Sequence, residues 1–337
     1  MINLLNIWKK DNKANDVKYQ NTFVFTQNPK CTFVKNNNLE EIYNLKDIDN
    51  IKLTNEETIK ANQELQKIKL AGDYDGDLFF LKTLIYDTKT NKLYIGLVKT
   101  KYSVLRTFDR AKKEKYGLYK TGIIAPTVTS DNKIVLFERK RDHFYSPVCG
   151  FMEQKHGQRE IGDLIKQTVL EENKEELYGD DIDLNSNEWQ YNLKAISYTK
   201  NRSGVEFIST LHNKNINSKK FVSIFKNSKA MDRKEHTDKF LTVNLNNKNE
   251  IKNILNDKQY TGKFLHGPVV LSNTDTVQCY NINHKLGDEL DKCIDGLNTF
   301  TDKQFVDKVE TVFVKDISPE QQSKIMEYIK AIKKFIF

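Results

Sequence analysis

Residues 171 to 176 read Glu-Glu-Asn-Lys-Glu-Glu. On a helix, Glu172, Glu175 and Glu176 stand in i, i+3 and i+4 relation, so three carboxylates converge on one face. Like charges at that spacing repel and weaken a bare helix. A hard divalent cation would relieve the repulsion, and carboxylates around such a cation can neutralise phosphate oxygens and make a water nucleophilic. An isolated acidic run on a lysine-rich chain is more often just a solvated face, so its position in the chain has to decide.

The elements that must position it are legible. Residues 122–129 and 133–139 read as two strands joined by Ser130, Asp131 and Asn132, a good turn sequence. The stretch Ser146-Pro-Val-Cys-Gly150-Phe-Met-Glu153 then leads to a helix expected over 159–177, and Gly150 lets the backbone approach a phosphate or metal closely. Gly179 suits a C-terminal stop for that helix. Residues 193–199 and 205–211 form a second hairpin, and 240–245 a further strand. Strand, glycine loop and glutamate helix in that order make the acidic run hard to read as a bare surface.

This order resembles the Nudix hydrolase superfamily, whose box has the form G-x5-E-x7-R-E-U-x-E-E-x-G-U with U a bulky aliphatic residue. The resemblance covers roughly residues 118–275. Gly150 to Glu153 looks like the opening of the box, Glu172 falls on the glutamate after its arginine, and Glu175 and Glu176 match its paired glutamates. Glu171 stands where the box has arginine and Asn173 where it has an aliphatic residue. The stretch from Gly150 to Glu172 is longer than the standard spacing, so a displaced first half through Gly157 and Asp163 is conceivable. A second register sets the pair at Glu171 and Glu172. It places Leu164, Ile165 and Val169 in the core, but puts Thr168 where the first metal-binding glutamate belongs. The first register is preferred because it keeps three carboxylates and ends the helix near a glycine.

The resemblance implies an α/β fold: a Nudix-type α/β/α sandwich with a mixed sheet, plus an N-terminal β-rich region and a C-terminal helical appendage. It implies Glu172, Glu175 and Glu176 as ligands for magnesium or manganese, helped by Glu153 and the Gly150 carbonyl. Glu172 and Glu175 are then the catalytic glutamates of the box. Related enzymes often carry an acidic residue in a loop near the substrate, which makes Glu235 the candidate general base. His236 competes, since its ordinary pKa suits proton transfer near neutrality. The substrate expected is a nucleoside diphosphate linked to another moiety: a dinucleotide, a nucleotide sugar such as ADP-ribose, or an RNA cap. The alternative is a catalytically degenerate nucleotide- or RNA-binding module of the same fold. Arg139, Arg141 and Arg202 are candidate phosphate contacts because guanidinium offers paired donors. Phe144 and Tyr145 are weaker candidates for stacking a base.

Length and composition frame this reading. At 337 residues the chain suggests roughly two domains at about 150 residues each. The parts expected are an N-terminal α+β region over 1–115, a Nudix-like domain over 116–283 and a C-terminal helical region over 284–337. The last carries helical patterns at 286–297 and 319–335. The net charge of +8, mostly lysine, would help gather nucleotides or RNA, though no RNA-reading motif accompanies it. Cys31, Cys149, Cys279 and Cys293 lie far apart, which points away from a zinc site or a disulfide framework. The first residues lack a signal-peptide pattern and no run is apolar enough for a membrane span, so a cytoplasmic protein is expected. By family analogy the N-terminal region could serve a homodimer.

Overall fold

The computed structural model describes residues 1–5, 21–25, 27–35, 38–71, 74–108, 112–113, 116–140, 145–154, 161–199, 204–245, 247, 269–273 and 276–280. Helix α1 (Asn55–Leu70) starts at a reciprocal cap: Thr54 Oγ1 accepts the Glu57 N–H at 3.3 Å, and the Glu57 carboxylate accepts the Thr54 N–H at 2.9 Å. The two bonds satisfy donors that a helix start leaves orphaned. Strands β1 (Ile2–Asn3), β2 (Asn21–Val24) and β3 (Lys30–Phe33) precede it. After it, β4 (Asp77–Asp87) and β5 (Lys92–Lys101) form an antiparallel hairpin, followed by the short helix α2 (Tyr102–Thr107).

The strand expected over 122–129 is two strands, β6 (Tyr119–Ala125) and β7 (Thr127–Val128). Pro126 separates them, and proline has no N–H to give a ladder. Strands β8 (Lys133–Arg139), β9 (Tyr145–Ser146) and β10 (Val148–Phe151) lead to the central helix α3 (Leu164–Asn173). Next come β11 (Trp189–Thr199), β12 (Gly204–Asn213), helix α4 (Ser218–Asn227) and β13 (His236–Asn244). A hairpin of β14 (Val269–Asn273) and β15 (Thr276–Tyr280) was not expected from the sequence.

Apart from that hairpin, the strands form one mixed sheet in the order β13-β8-β7-β12-β6-β4-β5-β3, with β10 on β6 and β11 on β12. β12 runs parallel to β6 and β7, while β10 and β4 run antiparallel to β6. Helices cover both faces. Ile165 and Val169 of α3 share a core with Phe79 and Leu81 of β4, whereas Ala61 of α1 and Val104 of α2 share another with Leu78 and Phe80. Successive strand residues point to opposite faces, so α3 lies on one side of the sheet and α1 and α2 on the other. The chain is thus of the α/β class. Strands from before and after residue 115 share this sheet and its larger core. The helical patterns at 286–297 and 319–335, and the whole of 284–337, lie outside the described residues.

The central helix departs from its expected bounds of 159–177. A 3-10 turn (Ile161–Asp163) precedes α3, and the last turn (Lys174–Tyr178) is a π-helix. Its closure is visible in the Gly179 N–H, which donates to the Lys174 carbonyl five residues back. Such turns are rare and often accompany functional sites. The bulge is anchored by Tyr178, fully buried against Trp189 and Phe221, with its hydroxyl 3.2 Å from Thr127 Oγ1. Gly179 then turns the chain at φ 64 and ψ −157, and a Cβ there would meet the Ala230 nitrogen at 3.3 Å. Few residues other than glycine adopt that backbone. Gly179→Ala should therefore cost about 1–3 kcal/mol of stability, read as a lower urea midpoint. An unchanged midpoint would mean that the π turn is not held by this residue.

Candidate functional site

The helix and the glycine strand meet at one point. A Cβ built on Gly150 would lie 2.0 Å from Glu172 Cδ and within 2.2 Å of both its carboxylate oxygens, so that carboxylate occupies the space a side chain would need. Position 150 is therefore closed to anything larger while Glu172 keeps this place. One turn on, Glu176 reaches the neighbouring residue. Its Oε1 accepts the Cys149 N–H at 3.3 Å, and its Oε2 stands 3.2 Å from His236 Nε2. Thus Glu172 and Glu176, i and i+4 on the helix, arrive at consecutive residues of β10.

Glu175 is placed differently. Its carbonyl accepts the Asp232 N–H at 2.8 Å, which ties the π turn to the loop before β13; the neighbouring Lys174 has its pKa raised chiefly by its ion pair with Asp180, with a small part from the Glu175 charge. Glu153 bridges Leu78 through its backbone, with its carboxylate beside Gly76 at the start of β4. Among the described residues no three His, Cys, Asp or Glu side chains are grouped to hold an ion by themselves. Glu153, Glu172, Glu175 and Glu176 therefore do not form one ready-made cage.

His236 is buried at the first residue of β13 rather than exposed in a loop. Its ring packs edge-on against Phe137 and Phe225, and its Nδ1 is buried with no hydrogen-bond partner. Arg139 lies opposite His236 in the β8–β13 register. Glu235 is exposed, yet near enough to act on the half-buried Glu176 and the buried His236: together with Asp232 it pushes the Glu176 pKa up, while Arg139 opposes it. Burial is the larger cause and pushes the Glu176 carboxyl up to about 8. Burial also pushes His236 down to about 4. Both effects favour a neutral pair near pH 7, in which the Glu176 hydroxyl donates to Nε2 while Oε1 keeps the Cys149 N–H.

No family model matches the chain, and no curated protein matches it. Among solved structures, it is similar to Tm1382, described as a candidate Nudix hydrolase. That likeness has a TM-score of 0.32 and 11% identity, and covers 61% of this chain and 89% of that one.

The two registers read from the sequence acquire distinct geometries. Leu164, Ile165 and Val169 are all in the core, as the second register has them. Thr168, which that register sets at the first ligand position, is sealed in the interior with its hydroxyl donating to the Leu164 carbonyl at 2.9 Å. Asn173, which the first register sets at the aliphatic position, is also fully buried; it donates to the Val169 carbonyl and accepts from Thr127. Glu172 is acidic in both registers, and it is the residue seated on Gly150. Arg141, Arg202, Phe144 and Gly157 lie outside the described residues, and Tyr145 is buried in β9. Asp163 ends the 3-10 turn before α3.

Sequence reasoning missed two carboxylates. Glu138 is buried, accepts the Thr237 hydroxyl at 2.7 Å and sits 3.5 Å from the Lys239 ammonium. Glu206 lies between the buried Val205 and Phe207, and its field reaches the Cys149 thiol. The available signal was a single acid at an otherwise apolar point of each strand.

The neutral pair predicts how stability varies with pH. The unfolded state releases the Glu176 proton near 4.5, the folded state near 8. Between those values the folded state binds more protons, so stability falls as pH rises. His236 acts oppositely, its folded value of about 4 lying below the ordinary 6.5, so its contribution grows up to about pH 6.5 and is then constant. The two offset one another below that point. From about pH 6.5 to 8 Glu176 acts alone and should lower stability by about 1–2 kcal/mol. Urea titrations in chelator at those two pH values test this, and Glu176→Gln should flatten the difference.

Proposed function

We propose that this chain is a metal-dependent hydrolase of the Nudix type, cleaving a nucleoside diphosphate linked to another moiety. The observation that carries the reading is the seat of the Glu172 carboxylate on the bare α-carbon of Gly150. It joins the two halves of the box that the sequence resembles.

The donor set suits a hard cation. Magnesium keeps several waters and commonly binds through one or two carboxylates plus substrate phosphates, so Glu172 and Glu176 would hold it without a full protein cage. When bound, such an ion supplies charge neutralisation at the diphosphate and a more acidic water. The chain's own groups do the rest. Arg139 offers paired donors to a phosphate beside the carboxylates. Glu235, exposed at the rim, accepts the proton of the attacking water. When the Glu176 carboxyl ionises its proton leaves to solvent, because burial keeps His236 a poor base, and the neutral imidazole donates its Nε2–H to the carboxylate. The missing side chain at Gly150 lets main chain and carboxylate share one small volume.

A second reading is favoured by the pairing of Glu176 with His236 and Cys149, which leaves its oxygens engaged in the free protein. On that reading the fold is a binding module for a nucleotide or RNA. A panel of dinucleotides, nucleotide sugars and capped oligonucleotides incubated with Mg²⁺ or Mn²⁺ separates the two. Hydrolase function requires metal-dependent turnover that Glu172→Gln and Glu176→Gln reduce by about 10²-fold or more. Ligand binding without turnover across the panel would favour the module, and turnover indifferent to both substitutions would remove the proposed site.

A further inference from the structure

The lysines of this chain are mostly interspersed with acids, as on α1, where Lys60 pairs with Glu56 and Lys67 with Glu64. Residues 88–108 also lack acids, but there Lys92, Lys101 and Arg106 pair with Glu41, Asp77 and Glu64 across the fold. Between Glu206 and Asp232 there is again no acidic residue, and five lysines fall there: Lys214, Lys219, Lys220, Lys226 and Lys229. All five are exposed, and none has a carboxylate within ion-pairing distance among the described residues. Lys219, Lys220 and Lys226 lie on α4, where spacings of one and seven residues set them on one arc of the helix. The opposite arc carries Phe221 and Phe225, buried against Val135 and Phe137 of the sheet.

An aromatic ring borders this arc. Phe240 on β13 is 37% exposed, and the Lys226 ammonium lies 5.6 Å from its ring centre. Phe240 pairs with Phe137 in the sheet, so its ring is on the α4 side. Met231, 62% exposed, lies in the loop between α4 and β13. Ser223 and Asn227 sit on the same exposed arc and add a hydroxyl and an amide. Along β13 the surface leads back to His236 and so to Glu176.

We propose that the exposed face of α4, with Phe240, docks single-stranded RNA and leads one end of it toward the Gly150–Glu172 site. The inference deepens the hydrolase reading and rests on it only for the direction of the strand. Unpaired ammonium groups match a phosphate backbone. An exposed ring beside them offers a base a surface to stack on, the combination that single-strand sites use. The hydroxyl and amide groups suit the 2′-hydroxyl, which distinguishes RNA from DNA. A membrane surface fits less well, because a membrane-lying helix needs a free apolar face and that of α4 is spent on the core.

The test is fluorescence anisotropy of the full chain with a labelled single-stranded RNA of about 12 nucleotides, in chelator so that no turnover occurs. Wild type should bind with a marked salt dependence. The triple variant Lys219→Gln, Lys220→Gln, Lys226→Gln should bind at least about tenfold more weakly near 0.1 M salt and lose about 2 from the slope of log K against log salt. Phe240→Ala should weaken binding about tenfold with the slope unchanged. A control triple on exposed lysines of the N-terminal region, Lys46→Gln, Lys52→Gln and Lys69→Gln, removes the same charge and should bind as wild type. Equal loss in the control, equal affinity for DNA of the same sequence, or binding only to anionic phosphatidylserine vesicles would overturn the proposal. Hydrolysis of a small dinucleotide should be unaffected by the α4 variants. Absence of RNA binding with that hydrolysis intact would thus sink the docking surface alone, whereas RNA binding with no hydrolysis anywhere would sink the hydrolase reading alone.

Discussion

Gly150→Ala should leave the chain folded and reduce turnover by about 10²-fold, the scale on which a displacement of about 1 Å acts. The added methyl would stand 2.0 Å from Glu172 Cδ, far inside any van der Waals contact, so one of the two must move. The glutamate is the softer partner, being the end of a flexible side chain, and rotating it away costs little stability. What is lost is position: the carboxylate retreats by more than an ångström from the strand where Glu176 also arrives. Magnesium affinity should fall with turnover, while the thermal midpoint stays within a few degrees of wild type. Glu172→Gln combined with Gly150→Ala should do little more damage than either alone, since both act through one carboxylate. A Gly150→Ala protein with wild-type turnover would show that the seat of Glu172 is incidental to the chemistry.

That seat was half legible beforehand. Spacing alone put Glu172 and Glu176 on one helix face, and the glycine loop stood in the right order before them, but helical periodicity could not reveal the π turn. The turn depends on tertiary anchors far away in sequence, Tyr178 on Thr127 and Trp189, and the Glu175 carbonyl on Asp232. One extra residue in that turn rotates Glu175 off the face that Glu172 and Glu176 share, which the i, i+3, i+4 rule for a regular helix does not allow for. Strand assignments fared better where an apolar run was bounded by turn residues, as in β8 and β12. They failed at Pro126, a local break, and at the β14–β15 hairpin.

His236 shows a different limit. Its neighbours in sequence, Arg233, Lys234, Glu235 and Asp238, are all charged, which reads as an exposed loop. In the fold the strand begins at His236 and turns that one ring inward against Phe137 and Phe225. A single buried residue within a polar run leaves almost no periodic signal. Glu138 and Glu206 are the reverse case, single acids within apolar strands, and how far each is covered is set by what packs on the sheet and not by local pattern.

The largest effect on stability should come from Phe137→Ala. Phe137 is 1% exposed, and its ring centre lies 3.9 Å from that of Phe225, 5.8 Å from Phe221 and 6.1 Å from His236. With Val135 it packs β8 on α4, and it also touches the buried histidine. Removing a ring so enclosed costs about 3–5 kcal/mol, a large part of the ~5–15 kcal/mol that keeps a typical domain folded. Phe33→Ala, equally buried but in the core cluster around β3 and β5, should cost a comparable amount. The two should differ at the site. Without Phe137 the wall around His236 opens to water, the desolvation that holds its pKa down weakens, and the histidine should titrate closer to its ordinary value by NMR. In Phe33→Ala that titration should stay where it is in wild type. If both substitutions moved it equally, the shift would reflect general loosening of the fold, and the aromatic wall would have no particular hold on the Glu176–His236 pair.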